Sequence, residues 1–105
     1  NLHCVQPLSY LEFNFLIEKS KGVITDSGGI TEETTYMNVP CITLRDNTER
    51  PETIDLGTNE LIGTNPEAIS LALKKLFLNQ WKQGINPPLW DGKSSKRIIN
   101  HLLQL

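Results

Sequence analysis

The sequence predicts an α/β fold, a parallel sheet of about four strands with flanking helices. Short apolar or β-branched runs alternate with stretches of helical period, as they do in successive βαβ units. The connections between these runs contain the glycine, asparagine and proline residues that end helices and form turns. Because a complete dinucleotide-type sheet has about six strands, this pattern indicates half of a Rossmann-like domain.

The first predicted elements are a short strand and a capped helix. Leu2–Val5 is a strand candidate, and Gln6-Pro7 is the turn that follows it. Ser9 and Glu12 have the spacing of a capping box, so we expect a helix from Ser9 to about Lys19.

The middle of the chain predicts two further strand–helix units. Gly22–Thr25 is a strand candidate, Asp26–Gly29 is its turn, and a helix follows from about Ile30 to Met37. Cys41–Leu44 is the next strand candidate and leads into the charged loop Arg45–Arg50. The later predicted elements are a short helix opened by Pro51, a strand at Glu60–Ile62, a helix at Glu67–Leu78, an irregular segment at Asn79–Lys93 and an amphipathic helix at Ser94–Leu105.

Length, charge and cysteine content exclude several classes of function. The chain has 105 residues, which is at most one domain, and its start at Asn1 indicates a cut through a larger protein. A net charge of −2 argues against nucleic-acid and membrane-surface partners. Cys4 and Cys41 fit no metal or redox spacing, so we expect buried, reduced thiols and a cytoplasmic protein.

The turn Asp26–Gly29 is the first candidate for chemistry. It follows a strand and opens a helix, where unpaired backbone amides and the helix dipole favour a phosphate. Gly28 and Gly29 would let those amides approach the ligand closely, and Ser27 adds a hydroxyl. The alternative is an ordinary strand–helix turn in which Asp26 or Ser27 is only an N-cap.

Two glutamates and two arginines lie near this turn. Glu33 is expected on the crevice side with Ser27, where it could bind ribose hydroxyls, whereas Glu32 is expected to point away and complement the helix dipole. Arg45 and Arg50 could pair with phosphates through their forked donors. The alternative for both arginines is a solvated loop in which arginines and glutamates pair with one another.

These residues resemble the family of UDP-N-acetylglucosamine 2-epimerases. The resemblance is carried by Thr25–Glu33, Arg45–Glu52, Gly57-Thr58, Leu61–Thr64 and Asp91–Ile98. It extends over nearly the whole chain, and Thr48-Glu-Arg-Pro-Glu52 is its most specific string. Trp90 departs from the family pattern, which has a glycine before the aspartate.

The resemblance implies a two-domain, GT-B-like fold with its active site between two Rossmann-like halves. Residues 1–105 would be the C-terminal, UDP-binding portion, with the N-terminal domain absent. The implied reaction interconverts UDP-GlcNAc and UDP-ManNAc by elimination and re-addition of UDP, without cofactor or metal, and serves cell-envelope polysaccharide biosynthesis. Its implied partner is a UDP-sugar. Independently of the resemblance, half of a doubly wound domain leaves a sheet edge and apolar helix faces uncovered, so we expect a homo-oligomer, most simply a twofold dimer.

The resemblance also assigns site residues one by one. The matched positions are Ser27, Gly28 and Gly29 for the diphosphate, Glu33 for the ribose, Arg50 for a substrate contact, Phe13 near the uracil, and Leu8 at the base, where some members have glutamine. The family's catalytic residues match none of the 105 residues. The alternatives are another GT-B enzyme, either a hydrolysing epimerase or a glycosyltransferase, and a non-catalytic nucleotide-sugar-binding module.

Overall fold

The computed structural model describes residues 1–105 and has a three-stranded parallel sheet flanked by helices. Its elements are α1 (Tyr10–Lys19), β1 (Val23–Thr25), α2 (Gly28–Met37), β2 (Cys41–Thr43), α3 (Glu52–Asp55), β3 (Asn59–Leu61), α4 (Pro66–Phe77) and α5 (Ser94–Leu102). The strand order is β1-β2-β3, with Ile42 opposite Ile24 on one side and Glu60 on the other. The α/β class and parallel sheet are therefore confirmed.

The fourth strand expected from the sequence, Leu2–Val5, is not formed. Leu2 is 90% exposed and Val5 is 69% exposed, and residues 1–8 donate and accept no backbone hydrogen bond. A strand needs a neighbour that satisfies its backbone groups and buries its side chains. No such neighbour stands beside the outer edge of β1, so the apolar run has no regular secondary structure and stays exposed to solvent.

The helix starts follow the capping chemistry of the sequence. Ser9 caps α1: its hydroxyl oxygen accepts a hydrogen bond from the amide of Glu12, and its own amide donates to Glu12 Oε2 at 3.0 Å. At α4, the Asn65 side chain accepts from the amide of Glu67 at 2.9 Å, and Pro66 takes the first helical position. The predicted capping box is therefore confirmed.

The core is small and rich in threonine. β2 is buried along its whole length, as expected for the central strand of a parallel sheet. The fully or nearly buried residues include Ile17, Val39, Cys41, Ile42, Ala72, Leu76 and six threonines at 31, 34, 35, 43, 53 and 58. Several threonine hydroxyls donate to backbone carbonyls, such as Thr58 to Val39 at 2.6 Å, which meets their hydrogen-bonding requirement without water.

The structure differs from the sequence-based expectations at one cysteine and at the last helix. Cys41 is buried, but Cys4 is exposed because it lies in the unpaired segment before α1. The last helix forms over Ser94–Leu102, yet none of its residues is buried, so its apolar side lacks a partner within the chain. No helix combines the length and apolar character needed to cross a membrane.

Candidate functional site

Asp26 and Ser27 connect β1 to α2, and Gly28 and Gly29 form the first turn of α2, which begins two residues earlier than expected. This glycine turn leaves hydrogen-bond donors free. Ser27 is the extended N-cap of α2, but its side chain makes no capping hydrogen bond. The amide of Ser27 donates to Thr25 Oγ1 at 3.1 Å, whereas no group in the chain accepts from the amides of Gly28 and Gly29. The turn therefore presents a hydroxyl and two backbone amides at the positive end of a ten-residue helix.

The loop after β2 lies against this turn. A β-carbon placed on Gly28 would be 3.4 Å from Glu49 Oε2 and 3.7 Å from Arg45 Nη1. On Gly29 the nearest neighbour would be the hydroxyl of Ser27 at 4.0 Å, so this position faces open space. The two strand-end loops expected to form one site are therefore adjacent, because β1 and β2 are neighbouring parallel strands.

Arg45 is held within its own loop. Its Nη2 donates to Asn47 Oδ1 and Glu49 Oε1, each at 3.0 Å, and Nη1 donates to Glu49 Oε2 at 3.4 Å. The hydrogen bond from the Glu49 backbone, followed by those from Arg45, holds the pKa of the Glu49 carboxyl below its usual range. Next to the glycine turn the loop thus presents a guanidinium paired with a carboxylate.

Arg50 lies at the other end of the loop and contacts α2. Its Nε donates to Glu32 Oε1, and Nη1 donates to the carbonyl of Glu49 at 3.3 Å. The hydrogen bond and charge of Glu32 raise the pKa of Arg50. Both side chains remain about half exposed. The expectation that Glu32 points away from the candidate site is therefore wrong, because the loop folds back over the helix face that carries Glu32.

Glu33 faces a different neighbour, the start of α1. Its Oε1 accepts a hydrogen bond from the hydroxyl of Tyr10 at 2.7 Å, and this bond raises the pKa of Tyr10. The sequence does not predict this role of Tyr10, because its hydroxyl lies 23 positions from Glu33 along the chain and gives no local signal. The contact fixes the direction of the Glu33 carboxylate and leaves its second oxygen without a hydrogen-bond partner.

The two residues predicted to lie near a base line different hollows. Leu8 is half-buried and lines an open apolar hollow of about 470 Å³ with Leu11 and Phe15. Phe13 is 40% exposed and lines a separate pocket of about 240 Å³ with Ile17 and Ile24 of β1. The structure therefore brings Phe13 to the edge strand, but it does not bring Leu8 and Phe13 into one pocket.

The glycine turn, the arginines and Glu33 could together bind a ligand that carries both an anionic group and hydroxyl groups. Backbone amides and guanidinium donors can bind phosphate oxygens, and carboxylates such as Glu33 can accept from hydroxyls. The glycine turn and the loop after β2 are both open to solvent, and none of the chain's pockets includes Ser27, Gly28 or Arg50. No group of three or more His, Cys, Asp or Glu side chains is placed to hold a metal ion.

A family model and the sequences of known proteins match this chain to the same family. The family model described as UDP-N-acetylglucosamine 2-epimerase matches residues 1–103. The chain is 46% identical over 98 residues to the UDP-N-acetylglucosamine 2-epimerase of Methanocaldococcus jannaschii, covering 93% of this chain but 26% of that protein. The chain therefore spans about a quarter of the length of this relative.

Solved structures agree with the sequence comparison. The UDP-GlcNAc 2-epimerase of Neisseria meningitidis bound to UDP-GlcNAc superposes with a TM-score of 0.86 at 36% identity, covering 98% of this chain and 29% of that chain. The M. jannaschii enzyme in complex with UDP-GlcNAc and UDP superposes with a TM-score of 0.78 at 43% identity, covering 96% and 27%.

Proposed function

The chain belongs to the UDP-N-acetylglucosamine 2-epimerase family, and on this premise we propose that residues 1–105 are the C-terminal, UDP-binding portion of a larger enzyme. That enzyme interconverts UDP-GlcNAc and UDP-ManNAc. The support comes from relatives that are named as this epimerase and from one whose structure contains both UDP-GlcNAc and UDP.

One observation carries the proposal: unpaired amides at the start of α2 lie beside an arginine-containing loop. Gly28 and Gly29 leave room for a diphosphate to approach these amides, and Ser27 adds a free hydroxyl. Arg50 keeps Nη2 without a partner while Nε is bound to Glu32, so its guanidinium still has donors to offer a phosphate. The free oxygen of Glu33 would accept from a ribose hydroxyl.

These groups act on the leaving group of the proposed reaction. In the forward direction C2 of the sugar loses a proton, the bond from C1 to the UDP oxygen breaks, and a C1–C2 double bond forms. The electron pair of the broken bond moves to the diphosphate, where amides and a guanidinium stabilise the developing negative charge. Re-addition of UDP with a proton delivered to the opposite face of C2 completes the epimerisation.

Phe13 and Leu8 complete the proposed UDP site. Phe13 is half exposed beside β1, where its ring is available to pack against a uracil. Leu8 has no polar side-chain atom, so we propose that its backbone amide and carbonyl, which are unpaired in the chain, recognise the base edge. This arrangement replaces the glutamine that stands at the position in some family members.

We propose that the enzyme is a homo-oligomer of the cytoplasm. Apolar residues of α1 and α5 are exposed, which supports association with other polypeptide surfaces. Both cysteines are unpaired, as is usual in a reducing compartment.

The experiment that tests the function uses the full-length parent protein and UDP-GlcNAc in deuterated water. We expect UDP-ManNAc, with deuterium at C2 of both epimers, and this product is followed by NMR. Release of free ManNAc with UDP would identify a hydrolysing epimerase. Binding of UDP without turnover would identify a non-catalytic binding module, and either result would contradict the proposal.

A further inference from the structure

A buried polar relay connects the sheet to the loop that carries Arg50. The hydroxyl of Thr43 in β2 donates to Asn59 Oδ1 in β3, and Asn59 Nδ2 donates to Thr53 Oγ1 in α3 at 3.2 Å. The hydroxyl of Thr53 in turn donates to the carbonyl of Arg50 at 2.8 Å. Resting on the UDP site proposed above, we infer that Thr53 and Asn59 are positioning residues for Arg50.

The relay lies where water cannot replace its hydrogen bonds. Asn59 and Thr53 are both 0% exposed, and Thr43 is 1% exposed. An unpaired amide or hydroxyl in such a place is costly, so each member is strongly constrained to keep its partner. A wholly apolar group of side chains would fill the same space without this requirement. The hydrogen-bonded polar side chains therefore specify a single arrangement of β3, α3 and the loop.

The orientation of the Asn59 carboxamide sets the direction of the relay. The Asn59 carboxamide accepts from Thr43 and donates to Thr53, so the Thr53 oxygen already accepts one bond. Its single hydroxyl hydrogen must then point to another acceptor, which is the carbonyl of Arg50. The amide of Thr53 also donates to this carbonyl at 3.0 Å. Two donors from one residue thus hold the backbone from which the Arg50 side chain extends toward Glu32.

Thr58 provides a matched comparison within the same core. It is also buried, at 2% exposed, and its hydroxyl donates to a backbone carbonyl, that of Val39, at 2.6 Å. Val39 precedes β2 and Thr58 precedes β3, so this hydrogen bond lies at the N-terminal ends of the strands, whereas the Arg50 loop leaves the C-terminal end of β2. Replacing either threonine by valine removes one buried hydroxyl of the same size. A loss of UDP affinity in both variants would be a general structural effect. A loss of UDP affinity in Thr53→Val alone would show that Thr53 positions Arg50.

The binding test uses the full-length parent protein and UDP, measured by calorimetry. We expect Thr53→Val to weaken UDP binding about fivefold, the worth of the hydrogen bond that the hydroxyl donates to the Arg50 carbonyl. Thr58→Val should stay within about twofold of wild type. Thr53→Ser should restore the affinity because it keeps the hydroxyl. In an Arg50→Ala background, Thr53→Val should add no further loss. Equal effects of the two valine variants, or full additivity with Arg50→Ala, would overturn the inference.

Hydrogen exchange of the loop amides gives a second measurement that does not depend on UDP. Exchange in residues 45–52 should quicken in Thr53→Val and remain unchanged in Thr58→Val. If it quickens while Arg50→Ala leaves UDP affinity intact, the relay holds the loop as inferred, and the assignment of Arg50 to the UDP site is wrong. If Arg50→Ala weakens binding while Thr53→Val alters neither measurement, the assignment stands and the relay has no positioning role.

Discussion

Within the free chain, neither the backbone angles nor the surrounding space requires glycine at positions 28 and 29. Neither has a positive φ, and a β-carbon at Gly28 would meet only the ends of the Glu49 and Arg45 side chains. Gly57 differs, because a β-carbon there would lie 2.5 Å from the carbonyl of Thr53 and 2.6 Å from the hydroxyl of Thr35. The glycines of the turn therefore tolerate a methyl group in the free protein, whereas Gly57 does not.

This difference predicts opposite effects of Gly28→Ala on stability and on binding. Alanine should stabilise the first turn of α2 by roughly 0.5–1 kcal/mol, since glycine loses more backbone entropy in a helix. The added methyl group should keep a diphosphate from the amides and weaken UDP binding of the parent enzyme by on the order of tenfold, or about 1.4 kcal/mol. Thermal unfolding and calorimetry measure the two effects.

Gly57→Ala serves as the control for this prediction. It should lower the melting temperature because the methyl group has no space beside Thr53 and Thr35. Unchanged UDP affinity in a well-folded Gly28→Ala protein would show that the turn has only a structural role.

Residue-scale chemistry could be predicted from the sequence only where it is local. The position of Ser27, Gly28 and Gly29 after a strand and at the start of a helix follows from a short string of residues. The pairs Tyr10–Glu33 and Glu32–Arg50 join residues 23 and 18 positions apart. Their partners depend on how helices and loops pack, and a sequence pattern does not contain this information.

At the scale of elements, capping and turn signals located the helices well. Ser9, Asn65 and Pro66 mark helix starts that the structure contains, and Asn38 ends α2 in the left-handed conformation. Leu2–Val5 has the composition of a strand but lacks a partner to pair with. A strand forms only beside a neighbour that pairs with its backbone, whereas a helix forms hydrogen bonds within its own backbone. Helices are therefore easier to predict from the sequence than strands.

The capping box of α1 makes a pH-dependent contribution to the stability of that helix. Hydrogen bonds from the hydroxyl and amide of Ser9 hold the pKa of the Glu12 carboxyl below its usual range. A lowered pKa in the folded state means that the stabilisation is present above the ordinary glutamate pKa and is lost as the pH falls through the lowered value. We therefore expect α1 to fray at acidic pH before residues of α4 lose structure.

NMR titration of Ser9→Ala tests this expectation. Without the hydroxyl, the pKa of Glu12 should rise toward its ordinary value. Identical titration curves for Glu12 with and without the Ser9 hydroxyl would contradict the role given to the capping box.

The whole molecule is extended and has a small core. Its dimensions are 54 × 30 × 23 Å, and its radius of gyration is 15.9 Å, compared with about 13 Å for a compact domain of this size. Only 16 of 105 residues are buried. Leu11, Phe15 and Leu16 of α1 are each more than half exposed, as are Ile98 and Ile99 of α5. Such apolar surface in water favours contact with another polypeptide.

The isolated 105-residue chain is therefore expected to self-associate, with a concentration-dependent mass in sedimentation velocity. Phe15→Glu places a charge in the apolar surface of α1 and should raise the monomer fraction. Ser70→Glu, on the exposed side of α4, adds the same charge elsewhere and should leave the distribution unchanged. A well-folded monomer that persists at high concentration would refute this expectation.

The two cysteines give the chain a pair of chemical reporters with opposite accessibility. Cys41 is 0% exposed in the central strand, and burial raises the pKa of its thiol, so little reactive thiolate reaches an alkylating reagent while the sheet is closed. Cys4 is exposed and reacts without any opening of the fold. The alkylation rate of Cys41 relative to Cys4 thus reads out how often β2 separates from its neighbours, and the two natural thiols make an introduced label unnecessary.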